Sequence, residues 1–358
     1  MGLCPACPLD LSRLSAGDTP RSATKTCRLR TPNQSSALMA FRSGFVSIIG
    51  RPNAGKSTLL NALVGEKLAI VTRKPQTTRN RIQGIVNVER KGKRPTGQIV
   101  LIDTPGVHKP INSLNRRMMK EVYDALEGCD LLLLIVDATA KLGTGDEFVL
   151  EIVKRGGQKT FLLLNKVDAL HKQDLLPLIA KYQELHDFAE VIPISALKGE
   201  GLDKLLDAVI KALPEGPRYF PKDQVTDQPE RFLVAELIRE QILLITDQEV
   251  PYATTVLIEQ YEESARLTRI AATIYCEREG QKAILIGKQG SALKKIGTAA
   301  RLQIEKLLNT KVFLELFVKV KAGWRDSRQF VQETDWRTQL ERMSEKEISA
   351  DADSDLEE

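Results

Sequence analysis

GRPNAGKS, residues 50–57, has the spacing G-x-x-x-x-G-K-S. The glycines of such a loop let the backbone curl around phosphates with its N–H groups pointing inward. Lys56 adds a point charge for the terminal phosphates, and the Ser57 hydroxyl can ligate Mg2+. In IDTPGVHKP, residues 102–110, Asp103, Thr104, Pro105 and Gly106 are suited to sensing the last phosphate of a nucleotide. NKVD at 165–168 suits guanine. The Asn165 amide can face the O6/N7 edge, and the Asp168 carboxylate can accept from N1–H and the 2-amino group. Lys166 can lay its aliphatic stem over the base. Adenine offers Asp168 neither donor, so GTP is expected over ATP. Ser195, Ala196 and Leu197 complete the set, with backbone N–H groups for guanine O6. Nucleotide contacts are thus expected from Gly50, Arg51, Pro52, Asn53, Ala54, Gly55, Lys56, Ser57 and Thr58. The same holds for Asp103 to Gly106, for Asn165, Lys166, Val167 and Asp168, and for Ser195 to Leu197.

These residues need rigid elements behind them. FVSIIG, QIVLID, LLLLIVD, TFLLLNK and VIPISA are short runs rich in Val, Ile and Leu, separated by amphipathic stretches. Such a pattern predicts an α/β, doubly wound domain with a mainly parallel sheet covered on both faces. IQGIVNVER at 82–90 alternates apolar and polar residues and predicts an edge strand. The phosphate loop follows the first run and opens the helical pattern STLLNALVG, the context that such a loop requires.

PEGPRYFPKDQVTDQPE at 214–230 predicts a linker. Beyond it, RFLVAELIREQILLI has helical spacing, and TTVLIEQYEE and TRIAATIYCERE read as strands. LIGKQG then sits between two helical patterns, and FLELFVKVK at 313–321 is a last strand. A tetrad such as Gly287, Lys288, Gln289 and Gly290 is by itself also an ordinary tight turn. In the order helix-strand-strand-helix-helix-strand it is the signature of an α+β, type II KH nucleic-acid module. Lys294 and Lys295 fall on the next helix, where a phosphate contact and a solvated face both stay open.

Charge distribution agrees with a polyanionic partner and equally with a solvated face. Residues 266–325 hold 13 Lys/Arg against 4 Asp/Glu, although the whole chain carries only +5. Residues 344–358 hold seven acids and one Lys and predict a disordered acidic tail. DSRQFVQETDWRTQLERM, 326–343, is expected to run on as an amphipathic helix. No apolar run approaches the ~18 residues of a membrane span. Five scattered Cys fit a reducing cytoplasm rather than a disulfide scaffold. Cys4 and Cys7 form a CxxC without the two further ligands zinc needs. Residues 1–38 lack an apolar signal region; a transit peptide stays open, and a translation start at Met39 is the preferred reading.

The order GxPNxGKS, DTPG, NKxD and SA resembles the translation-factor-related GTPases, and TRKPQTTRNRI at 72–82 narrows the resemblance to the Era family. GQKAILIGKQGSALKKIG and LELFVKVKAGWR resemble that family's C-terminal domain, so the likeness spans about Phe41 to Arg325. The expected layout is an extension or mis-assigned start at 1–40, a GTPase domain at 41–213 and a linker at 214–230. A KH domain at 231–325 and a C-terminal extension with the acidic tail at 326–358 follow. The resemblance implies GTP hydrolysis by Asn53, Lys56, Thr78 and Gly106. Mg2+ would be held by Ser57, Thr78 and, through water, Asp103, with Thr77 the alternative one step away. The Gly106 N–H would contact the γ-phosphate, and Asn53 matches the position that helps hold K+ in related GTPases. Arg73, Lys74, Arg79 and Arg81 beside Thr78 also read as a solvated loop. Val107 stands where many such enzymes carry a water-orienting Gln, so the resemblance implies that backbone groups of the ordered 72–82 segment hold the water. His108, a lone loop histidine, is not expected to be the base. The resemblance further implies RNA contacts from Gly287, Lys288, Gln289, Gly290, Lys294 and Lys295, with a target near the 3′ end of small-subunit ribosomal RNA. It also implies a role in small-subunit maturation and peripheral association with the inner membrane; the protein is expected to be a monomer. A nucleotide-bound RNA scaffold, and a GTPase serving another RNA or a membrane process, are the other readings.

Overall fold

A computed structural model describes residues 41–72, 74–92 and 94–341. The expectations for 1–40, Arg73 and the acidic tail lie outside the described residues. From Phe41 to Leu213, strands and helices alternate: β1 (Arg42–Ile49), α1 (Lys56–Val64), β2 (Ile82–Val88), β3 (Gly97–Asp103), α2 (Ser113–Glu127) and β4 (Leu131–Asp137). Then come α3 (Thr144–Gly156), β5 (Thr160–Asn165), α4 (Lys172–Leu185), β6 (Glu190–Pro193) and α5 (Leu202–Ala212). The strands form one sheet in the order β2-β3-β1-β4-β5-β6, parallel except for β2 at the edge.

Both faces of the sheet are covered, which is why its strands read as unbroken apolar runs. In β4, Leu131, Leu133 and Ile135 pack into one core with Leu59, Leu60 and Leu205. The alternate residues Leu132, Leu134 and Val136 pack into the other with Val122, Val149 and Val153. Because β1, β3, β5 and β6 run the same way, the loops after them emerge at one end of the sheet, the usual place for a ligand in this architecture.

The second region is α6 (Glu230–Ile245), β7 (Thr255–Glu262), β8 (Leu267–Cys276), α7 (Glu279–Ile286), α8 (Ser291–Leu308) and β9 (Lys311–Val320). β8 lies between β7, antiparallel to it, and β9, parallel to it. The helices cover one face through Val234, Ile238, Ile242, Leu285, Ile296 and Ile304. Among the described residues no helix is long and apolar enough to cross a membrane.

Two segments differ from the sequence reading. Residues 214–228, within the expected linker, are laced to the first domain along their length. The Ser43 N–H donates to Pro214 O, the Gly216 N–H to Phe41 O, and the Ile85 N–H of β2 to Val225 O at 2.9 Å. The Gln98 Oε1 accepts from the N–H groups of Tyr219 and Phe220. The expected single helix over 326–343 is broken as well. α9 (Arg328–Glu333) stops, and a separate helical turn begins after Asp335. The Asp335 carboxylate accepts from the Arg337 N–H at 3.1 Å, capping the new turn, and pairs with Arg117 at 2.7 Å.

Candidate nucleotide site

The loop after β1 turns through Gly50 and Gly55. A Cβ on Gly50 would lie 2.3 Å from the Ile135 carbonyl oxygen, and one on Gly55, whose φ is +103°, would lie 2.1 Å from Asn165 Nδ2. Only glycine permits both approaches. α1 then starts at Lys56, aiming its first N–H groups into a cleft of about 570 Å³, a size suited to a nucleotide.

The cleft gathers Pro52, Asn53, Gly55, Lys56, Ser57, Thr58, Thr78, Gly106, Asn165, Lys166, Asp168, Ser195 and Leu197 on its wall. Gly50, Ala54, Asp103, Thr104, Pro105, Val167 and Ala196 are not on that wall. Thr104 Oγ1 donates to the Ile48 carbonyl, and the Arg51 guanidinium pairs with Asp146 at 2.7 Å. Ile70, Val71, Thr72, Gln76, Thr77 and Ala169 also line the cleft. Thr72 and Gln76 fall inside TRKPQTTRNRI, the signal that could have found them, and Thr77 is the alternative to Thr78 already named there.

Lys56 is 6% exposed and donates to the carbonyls of Gly50 at 3.1 Å and Arg51 at 2.9 Å. Burial drives its ammonium down to about 8, with Asp103 opposing. Ser57 Oγ donates to Asp103 Oδ2 at 2.6 Å and lies 2.8 Å from Thr78 Oγ1, which donates to the same oxygen at 3.2 Å. Burial pushes the Asp103 carboxyl up, against Lys56 and the two hydroxyls. Its Oδ1 is buried with no partner among the described residues. Two hydroxyls and a carboxylate with a spare oxygen are hard donors of the kind Mg2+ takes, directly or through water. Among the described residues no cluster of His, Cys, Asp and Glu has the makings of a further metal centre.

At the other end, Asn165 spans the loops. Its Nδ2 donates to the Ala54 carbonyl at 2.8 Å, and its Oδ1 accepts from the Ala196 N–H at 2.9 Å. The second Nδ2 hydrogen is left for a base edge. Lys166 is held at 2.5 Å from Asp137 Oδ2, with its stem along the cleft, and Asp168 is exposed at the mouth. Val107 is buried in the core beside Ile49 and donates its N–H to Gly50 O. His108 has both ring nitrogens engaged, with Gly106 O at 2.7 Å and Asn115 Nδ2 at 2.8 Å.

Lys74, Arg79 and Arg81, the described cations around Thr78, each have a protein partner. Lys74 Nζ donates to Leu243 O at 2.6 Å, to Thr246 O, and to Asp247 at 2.9 Å, all at the end of α6. Arg79 donates to Thr254 O at 2.6 Å and Tyr252 O at 3.2 Å, and its guanidinium lies over the Trp324 ring. Burial, then neighbouring Arg239, pushes Arg79 down to about 9, still charged at neutral pH. Arg81 lies 3.6 Å from Glu121, which Arg337 meets at 2.8 Å. In the second region, Gly287 and Gly290 take φ of 71° and 77°, Gln289 takes 49°, and Lys288 within the tetrad and Lys294 and Lys295 on α8 are exposed.

The family model for 50S ribosome-binding GTPases matches residues 45–166, and that for KH domains matches 249–325. GTPase Era of Syntrophus aciditrophicus (strain SB) is 51% identical over 82% of this chain and 94% of its own length. The chain belongs to the Era family of GTPases. It pairs a GTPase domain with a KH domain, and it hydrolyses GTP. GTPase Era of Geobacter metallireducens is 52% identical over 82% of this chain and 97% of its own. An Aquifex aeolicus Era variant bound to GDP·AlF4− superposes with a TM-score of 0.77 at 38% identity, covering 82% of this chain and 98% of that one. An Era complex with MgGDPNP and nucleotides 1506–1542 of 16S ribosomal RNA superposes at 0.78, also at 38% identity and with the same coverage of both chains.

Proposed function

We propose that this Era-family GTPase uses its nucleotide state to control a KH surface that grips the 3′-terminal region of small-subunit ribosomal RNA, and so assists maturation of the small subunit. One observation carries the reading. The segment Lys74 to Arg81, which puts Gln76, Thr77 and Thr78 on the cleft wall, is bonded to the domain that bears the Gly287–Gly290 tetrad. Order in one is therefore felt by the other. The solved Era complex with 16S ribosomal RNA supports the choice of RNA. Gly287 and Gly290 allow a phosphate backbone close approach, Gln289 adds a hydrogen-bonding amide, and Lys288, Lys294 and Lys295 supply charge.

In the cleft, Lys56 and the loop amides neutralise the phosphates, and Asp168 selects guanine. Ser57, Thr78 and, through water, Asp103 would hold Mg2+, which supplies charge neutralisation at the β- and γ-phosphates. The Gly106 N–H meets the γ-phosphate. Apolar Val107 cannot orient water, so backbone groups of the segment around Thr78 would hold it, and Asn53 would help hold K+, which would add positive charge at the phosphates. Faster hydrolysis in KCl than in NaCl at equal ionic strength is expected, and equal rates remove the K+ argument. RNA affinity is expected to differ between GDP and a non-hydrolysable GTP analogue; equal affinities overturn the coupling. Crosslinking in cells, with Lys288→Asp as control, is expected to recover the 3′ end of small-subunit ribosomal RNA, and recovery of another RNA refutes the target.

A further inference from the structure

We infer that Arg239, on the helix that opens the second domain, is a positioning residue for GTP hydrolysis. The inference rests on the reading that Thr78 acts on Mg2+ and the γ-phosphate, and it names what holds Thr78 there. Arg239 is 2% exposed, and its Nη2 donates to the backbone carbonyl of Thr77. That carbonyl belongs to the same rigid peptide plane as the Thr78 N–H. Fixing its direction fixes the plane from which the Thr78 Cα–Cβ bond departs, and so aims Oγ1 at Ser57 and Asp103.

The guanidinium is itself fixed. Nε donates to Glu236 Oε1 at 2.8 Å and Nη2 to Glu236 Oε2 at 2.6 Å, a forked pairing within α6. Nη1 is buried without a partner among the described residues. A buried ion pair of this kind contributes little net stability, but it defines one geometry. The geometry it defines ends on the peptide next to the cleft threonine. One residue further on, Arg79 is bonded to Thr254, Tyr252 and Pro251, so Thr78 is bracketed on both sides by the second domain. Rotation of α6 relative to the first domain would withdraw the Arg239 fork and release Thr78. Glue between domains needs only a contact somewhere on the interface; an N–H held by the Glu236 pairing and delivered to the carbonyl beside Thr78 acts on the reaction.

The test is single-turnover GTP hydrolysis by the full chain carrying Arg239→Gln, Arg239→Lys, Thr78→Ala, or an Arg239 change with Thr78→Ala. Arg239→Gln is expected to slow hydrolysis about tenfold and to raise the Mg2+ concentration needed for half-maximal rate, while GDP affinity stays at the wild-type value. Arg239→Lys, which keeps the charge and an N–H donor for the carbonyl but loses the planar guanidinium, recovers part of the rate, and it carries the cycle alone if Arg239→Gln does not fold. In the Thr78→Ala background the Arg239 change has no further effect, because both act through one hydroxyl. Wild-type rates in both Arg239 variants, an equal loss of GDP affinity, or an undiminished effect in the Thr78→Ala background would overturn the inference. If Thr78→Ala itself hydrolyses GTP at the wild-type rate, the underlying reading of Thr78 fails instead.

Discussion

Lys56 makes nucleotide affinity depend on pH in a range where ordinary lysines are silent. Its ammonium is buried and sits at about 8 in the free protein rather than at 10.5. Only the charged form meets phosphate, and phosphate charge pulls the bound-state value back up. Binding above about pH 8 therefore takes up a proton, and affinity falls as pH rises. From about pH 7 to about pH 9 the protonated fraction of free Lys56 falls about tenfold, so GDP affinity drops by about 1.4 kcal/mol. Calorimetric GDP titrations at fixed Mg2+ and ionic strength measure this directly, and repeating them in buffers of different ionisation enthalpy counts the proton. Lys56→Met is the control: it binds weakly, with no such slope, which separates the lysine from titration of the guanine ring. A flat wild-type profile, or a slope that Lys56→Met reproduces, refutes the reasoning.

Gly55→Ala is expected to abolish GDP binding in the same titration, because its Cβ would fall 2.1 Å from Asn165 Nδ2 on a backbone at φ +103°. Asp168→Asn should weaken guanine nucleotides by about 2 kcal/mol, since an amide cannot accept from both N1–H and the 2-amino group. Competition between GDP and xanthosine diphosphate reads the change, with the 2-oxo group of xanthine favoured by the new amide. Phe330→Ala removes a buried ring that packs on Tyr275 and Trp324. It is expected to cost about 3 kcal/mol, visible as a lower urea midpoint; an unchanged midpoint would mean the 324–331 cluster contributes nothing.

The phosphate loop, the DTPG loop and NKVD were legible because each is a short string whose chemistry and flanking strand lie within a few residues. The succession of strands and helices along the chain and the tetrad Gly287–Gly290 were legible for the same reason, whereas the spatial order of the strands is set by pairings far apart in sequence. Lys74, Arg79 and Arg239 were not, because their partners lie more than 160 residues away in sequence. Nothing local to a basic loop distinguishes a guanidinium in solvent from one seated on the Thr254 carbonyl. The break at Asp335 shows in the carboxylate that accepts from the Arg337 N–H and pairs with Arg117, a partner more than 200 residues away in sequence. Membership of a phosphate-binding octet speaks for the backbone of Arg51 and says nothing of its side chain, which is drawn off to Asp146.

The strip from Pro214 to Gln228 has a consequence for anyone cutting this chain in two. β2 is an outermost strand, and its Ile85 N–H and Gln83 carbonyl are satisfied by Val225 and Thr226. An unpaired border of that kind templates self-association between copies. A fragment ending at residue 213 would leave the border bare and is expected to aggregate in light scattering, whereas one ending at residue 228 carries its own cover and stays dispersed.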